Sequence, residues 1–214
     1  KTPMREMNPD ALSMPQHFKE HGYTTLSIGK IYHTSNDDFP QGWSEKPLRG
    51  MGAQYASPAG IAEAKKASRI QRATGVRTRG PSIENGGKVS DDAYNDGMTA
   101  KTAIERLKKF AATDKPFFLA VGFTKPHLPF NAPAKYWDLY DRSKIKVPSR
   151  DKVIDGLSYD GSGWGELKNY SDLALKTKKL DDAKTRELIH GYRASVSYMD
   201  AQVGRVINAL ETSG

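Results

Sequence analysis

Phe117-Phe118-Leu119-Ala120-Val121-Gly122-Phe123, preceded by Lys115-Pro116 and followed by Lys125-Pro126-His127-Leu128-Pro129, is the stretch on which the fold turns. A strand with one wet face alternates apolar and polar residues. This run is apolar on both faces, the pattern of a central strand in a parallel sheet. Just upstream, Met98 to Phe110 sets Ala100, Ala103, Ile104 and Leu107 on one face at helical spacing. The same order occurs near the start of the chain. Met14 to Gly22 reads as a short helix, with Ser13 to cap it, Pro15 in its first turn and Gly22 to end it. Thr24-Thr25-Leu26-Ser27-Ile28 then reads as a strand rich in β-branched residues. Helix then strand, twice over, predicts an α/β protein: part of a mostly parallel sheet flanked by helices.

Between and beyond these units the signals are weaker. Residues 34 to 58 read as loop, Ala59 to Ala73 as an Ala-rich helix with a basic face interrupted early by Gly60, and residues 74 to 92 as irregular. Pro133 to Tyr140 suggests a helical turn, followed by a Gly- and Lys-rich excursion to Lys179. A long helix is predicted from about Asp182 to Leu210, with Asp181 or Asp182 at its N-terminus. Tyr192, Val196, Met199, Val203, Val206 and Leu210 form its apolar stripe.

Composition narrows the classes. Of the 214 residues 37% are hydrophobic and mean hydropathy is −0.68, so core-forming segments must be few and concentrated. The longest uninterrupted apolar run, Phe117 to Val121, is far too short to span a bilayer, and no signal-peptide pattern opens the chain. The absence of Cys excludes disulfides, thiolate metal sites and a Cys nucleophile within these residues. Net charge is +8, and residues 45 to 88 hold nine Lys or Arg against Glu45, Glu63 and Glu84. Such a stretch is either a polyanion-binding surface or an ordinary solvated basic face. The cations are not interleaved with aromatics and no nucleic-acid motif accompanies them, so no nucleic-acid partner is expected.

The chemistry-bearing residues sit just after the two predicted strands. Gly29-Lys30-Ile31-Tyr32-His33 follows the first and Lys125-Pro126-His127-Leu128-Pro129 the second. In open α/β sheets ligands bind beyond the carboxyl ends of the strands. A fixed Lys can neutralise a bound anion, and an imidazole can give a proton to a leaving oxygen. For Lys30 and His33 the alternative is a surface Lys beside a hydrogen-bonded loop His. His127 lies between two prolines that restrict its backbone, and its alternative is a turn His packed beside Phe123 and Phe130. Lys125 either touches the anion or merely lies near it. His17 and His21 have metal-ligand spacing but no third ligand, and read as helix-surface residues. Asp37-Asp38 reads as a solvated loop, His190 as a residue on the polar side of the last helix, and Tyr192 and Asp200 as structural.

Taken in order, Gly29-Lys30 with His33, the Lys125-Pro126-His127 element and the helix carrying Tyr192-Arg193-Ala194-Ser195-Val196-Ser197-Tyr198-Met199-Asp200 resemble the sulfatases of the alkaline phosphatase superfamily, in their iduronate-2-sulfatase-like branch. The resemblance spans essentially the whole chain and places residues 1–214 in the central portion of a sulfatase catalytic domain. It implies that Lys30 binds sulfate and the activated nucleophile, that His33 hydrogen-bonds the nucleophile, and that His127 binds sulfate or protonates the leaving oxygen. Lys125 would assist in substrate binding. It also implies a formylglycine nucleophile and a calcium ion (Ca2+), and departs from the family in showing neither. No Cys- or Ser-x-Pro-Ser-Arg motif occurs, and the calcium-ligating acids would lie before Lys1 and after Gly214, leaving no metal ligands in this chain. The expectation is therefore an internal fragment of a secreted or periplasmic sulfatase (lysosomal in animal relatives), inactive alone and acting as a whole on a sulfated carbohydrate. A non-catalytic polyanion-binding domain, or a phosphoester hydrolase of the same superfamily, remain the alternatives.

Overall fold

The structure is a computed structural model that describes residues 3–33, 38–149, 164–173 and 180–213. Its elements in chain order are α1 (Met4–Met7), α2 (Met14–Glu20), β1 (Thr24–Gly29), α3 (Pro58–Thr74), β2 (Ile83–Asn85), α4 (Asn95–Ala111), β3 (Phe117–Gly122), β4 (Phe130–Ala132), α5 (Ala134–Trp137), α6 (Trp164–Leu167) and α7 (Asp182–Glu211). All strand pairs among the described residues are parallel, and helices flank them, as an α/β reading requires. The chain divides into two compact units. The first holds residues 1–53, 91–124 and 199–214; the second holds 54–90 and 125–198.

In the first unit β1 pairs with β3 in parallel, from Thr24↔Phe117 to Gly29↔Gly122. Ser13 caps α2 by accepting from the Gln16 N–H at 3.2 Å, with Pro15 in the first turn. Phe18 of α2 stacks on Phe118 of β3, and Phe110 of α4 stacks on Phe117, each with centroids 4.7 Å apart. Leu26, Ile28 and Ala103 are fully buried, with Leu48, Met51, Phe110, Leu119, Val121 and Val206 packed around them. Burying Leu26 and Ile28 contributes about 2 kcal/mol each. The most deeply buried strand is β1, whereas every residue of β3 is half-exposed. Among the described residues β3 has one strand neighbour, β1, so its second edge and part of its apolar surface lie open.

In the second unit β2 pairs with β4, from Ile83↔Phe130 to Asn85↔Ala132. Three-residue strands leave too short a pattern to read, which is why residues 74 to 92 look irregular in the sequence. Gly60 does not interrupt α3. A Cβ there would meet Glu84 Oε1 at 2.1 Å, so glycine is what lets the helix approach that carboxylate. Glu84 is buried and accepts from Ala56 N–H, Ser57 N–H and Ser57 Oγ, fixing the start of α3, where Ser57 Oγ in turn accepts from Gly60 N–H.

Asp181 caps the start of α7, its side chain accepting from the Lys184 N–H at 2.7 Å. The helix's buried stripe differs from the predicted one. Leu188, Gly191, Ala194, Ser195, Tyr198, Gln202 and Ala209 are buried, while Tyr192 and Leu210 are exposed and Val196, Met199, Val203 and Val206 are half-buried. Around Gly191, Ala194 and Ser195 the inner face is small because the neighbours come close: a Cβ on Gly191 would meet the Trp137 ring at 2.9 Å and Phe130 Cβ at 3.0 Å. His190 is buried as well, contrary to its polar-side reading. It faces Trp137 O through Nε2 (2.9 Å) and accepts from Arg142 Nε at Nδ1 (3.1 Å). Asp38 is likewise no solvated loop residue, because Arg5 Nε (2.6 Å) and Ser13 Oγ converge on its buried carboxylate; Asp37 lies outside the described residues.

Candidate functional site

The first motif leaves β1 through a backbone device built from two glycines. Gly29 has φ +78°, and a Cβ on it would lie 2.0 Å from Gly122 O; a Cβ on Gly122 would lie 2.1 Å from Lys30 O. Only glycine tolerates both the left-handed turn and the approach. The Gly29 N–H donates to Leu48 O and the Lys30 N–H to Gly122 O, both at 2.8 Å. The chain therefore stays tied to the end of β3 for one residue more and then turns out. Lys30 and His33 are both exposed there, and the Arg49 guanidinium donates to Tyr32 O between them. The carboxyl ends of β1 and β3 thus lie side by side, as the sheet reading predicts.

The exit from β3 is fixed by Asp96 in the first turn of α4. This carboxylate is 2% exposed and its Oδ1 accepts from the Thr124 N–H at 2.9 Å. The second motif begins at the next residue. Lys125 is half-buried and its Nζ donates to Pro129 O across the intervening turn. The His127 ring lies 2.7 Å from Leu128 O through Nδ1. A carbonyl only accepts, so Nδ1 carries a proton and Nε2 is the atom left to face a ligand.

Nε2 lies 3.8 Å from Glu166 Oε2. The other oxygen, Oε1, accepts from Arg79 Nη1 at 2.7 Å, and the same Nη1 donates to Tyr170 OH at 2.8 Å. Burial works against the Arg79 charge, but the Tyr170 hydrogen bond and the Glu166 carboxylate outweigh it and raise its pKa. Tyr170 is pushed up chiefly by burial, with Arg79 acting in the opposite sense. Neither Arg79 nor Glu166 was singled out from the sequence. Arg79 is one cation of a basic stretch, and Glu166 sits 87 positions away in a segment without periodicity.

The structure thus groups Lys30 with His33 in the first unit, and Lys125 with His127 in the second. His17 on α2 and His21, the residue that caps the helix's C-terminal end, have ring centroids 4.2 Å apart. No group of three His, Asp or Glu able to hold a cation occurs among the described residues, so these residues alone do not make a calcium site. A cleft lined by Tyr23, Leu107, Phe110, Pro116, Phe117 and Leu210 opens at the other end of the strands and holds none of the motif residues. Among the described residues no helix is long and apolar enough to cross a membrane.

The profile of the sulfatase family matches residues 6–214. The chain belongs to the sulfatase family. Human iduronate 2-sulfatase is 31% identical over 221 residues, covering 93% of this chain and 37% of its own length. A sulfatase of Formosa agariphila is 27% identical, with 97% of this chain and 40% of the relative covered. This sulfatase-family chain therefore spans about two-fifths of the curated relatives it matches. Its fold is also similar to that of a phosphonate monoester hydrolase from Silicibacter pomeroyi. The TM-score is 0.54 at 15% identity, over 96% of this chain and 45% of that one.

Proposed function

We propose that this chain is the central portion of a sulfatase catalytic domain and that the complete protein hydrolyses sulfate monoesters on a sulfated carbohydrate. The observation that carries the reading is the Lys30/His33 motif delivered at the carboxyl end of β1, where Gly29 pairs with Gly122, in a member of the sulfatase family. In this reading Lys30 and Lys125 hold the sulfate oxygens, and His33 hydrogen-bonds the nucleophile. His127 gives its Nε2 proton to the leaving oxygen as the S–O bond electrons pass to that atom. A formylglycine nucleophile and the ligands of a Ca2+ ion, which when bound would supply positive charge beside the sulfate, would lie outside these residues. The isolated chain is then inactive, and the complete protein is secreted or periplasmic.

A second reading is a non-catalytic domain that binds sulfated polysaccharide. It is favoured by the exposed side chains of Lys65, Arg69 and Arg72, which share the outer face of α3 opposite buried Gly60 and Ala67. The coding sequence on either side of this chain separates the two. A Cys- or Ser-x-Pro-Ser-Arg motif upstream supports the enzyme; a mature protein ending at these residues, without a nucleophile, supports the binding domain.

A further inference from the structure

We infer that Glu166 is the positioning residue for His127, held in place for that purpose by Arg79 and Tyr170. The inference rests on the proposed role of His127 as proton donor. Its basis is a clamp that lies wholly within the second unit. The backbone of Arg79 fastens the segment after α6: its N–H donates to Asn169 O at 2.6 Å, and its carbonyl accepts from the Ser171 N–H at 3.2 Å. Its side chain fastens the same segment again, through Glu166 Oε1 and Tyr170 OH. A third attachment follows at Asp172, which accepts from Ser82 N–H at 2.6 Å, Ser82 Oγ at 2.7 Å and Lys184 Nζ at 2.9 Å. Glu166 is thus held from both its backbone neighbours and its own carboxylate.

The orientation matters more than the anchoring. With Oε1 committed to Arg79, Oε2 is the oxygen turned toward His127. The imidazole is then bracketed, Nδ1 on Leu128 O at 2.7 Å and Nε2 facing Oε2 at 3.8 Å. That second distance is too long for a hydrogen bond and short enough for attraction between charges. The carboxylate therefore steers the ring without tying Nε2 up in a hydrogen bond, and a leaving oxygen can still approach that atom. If Glu166 were only a counter-ion for Arg79, none of this orientation would be needed, since either oxygen could point away from the ring.

The test uses the complete protein and two aryl sulfates that differ in leaving group. Departure of 4-nitrophenolate needs little protonation, and that of unsubstituted phenolate needs more. Glu166→Gln keeps the size and an acceptor for Arg79 while removing the charge. It is expected to lower kcat for phenyl sulfate about tenfold, to change kcat for 4-nitrophenyl sulfate by less than about twofold, and to leave KM for both unchanged. Arg79→Lys, which loses the fork that holds Glu166, should show the same split in weaker form. An equal fall on both substrates would make Glu166 merely structural and overturn the inference. So would an unchanged Glu166→Gln enzyme in a protein where His127→Ala shows the split. If His127→Ala shows no split, the proton-donor reading itself fails and takes the role of Glu166 with it.

Discussion

At Gly122 the methyl group of an alanine would meet the Lys30 carbonyl at 2.1 Å, and the obstacle is backbone rather than a side chain that can turn aside. We therefore expect Gly122→Ala to destabilise the protein by about 2 kcal/mol or more and to displace the segment that carries Lys30 and His33. Urea unfolding, together with kcat of the complete protein, reads both effects; unchanged values for both would show that the strand exits need not be this close. His127→Ala has the opposite signature: an intact fold, and turnover of phenyl sulfate lowered about a hundredfold. A near-normal rate would remove His127 from the chemistry. The strands that precede the two motifs, β1 and β3, were legible in the sequence from their apolar and β-branched runs. Glu166 and Asp38 were not. Their surroundings are made by partners distant in sequence, Arg79 for one and Arg5 with Ser13 for the other, and local pattern carries no trace of either.

Among the elements, α3 depends on a residue outside it. Glu84→Ala would leave the part-buried N–H groups of Ala56 and Ser57 without their acceptor, at a cost of about 1–2 kcal/mol. Calorimetric unfolding at neutral pH should show it, and a change within error would mean that Ser57 alone suffices to start the helix. Lys184 ties α7 to the segment that carries Glu166. Burial works against its charge, but hydrogen bonds to Glu187 and Asp172 outweigh this and raise its pKa above the ordinary 10.5. A cation with a raised folded-state pKa contributes stability that is fully present below its unfolded value and lost as pH rises through the folded one. Lys184→Met should therefore lower the urea midpoint by a constant amount from pH 7 to about 9, and the difference should shrink above the ordinary value. A difference that grows with alkalinity would reverse the assignment. Helix existence was legible for α2, α4 and α7, since their periodicity or caps are strong. Which face α7 buries was not. Apolar spacing points to Tyr192 and Leu210, whereas close approach selects Gly191, Ala194 and Ser195. Burial of that kind depends on what the neighbours are, here Trp137 and Phe130, and no single-helix pattern contains them.

For the molecule as a whole, the α/β class followed from two helix–strand units, and the parallel pairing of β1 with β3 agrees with it. The division into two units was not legible, because β2 and β4 are too short to announce themselves. Net charge +8 and the exposed basic face of α3 give these residues a surface that attracts polyanions. The most direct test of the central claim is sulfate release from 4-nitrophenyl sulfate, measured for the complete protein and for these 214 residues alone under the same conditions. The account predicts turnover by the complete protein and none by the chain alone. Hydrolysis by the isolated chain, or a complete protein that releases no sulfate, would contradict it.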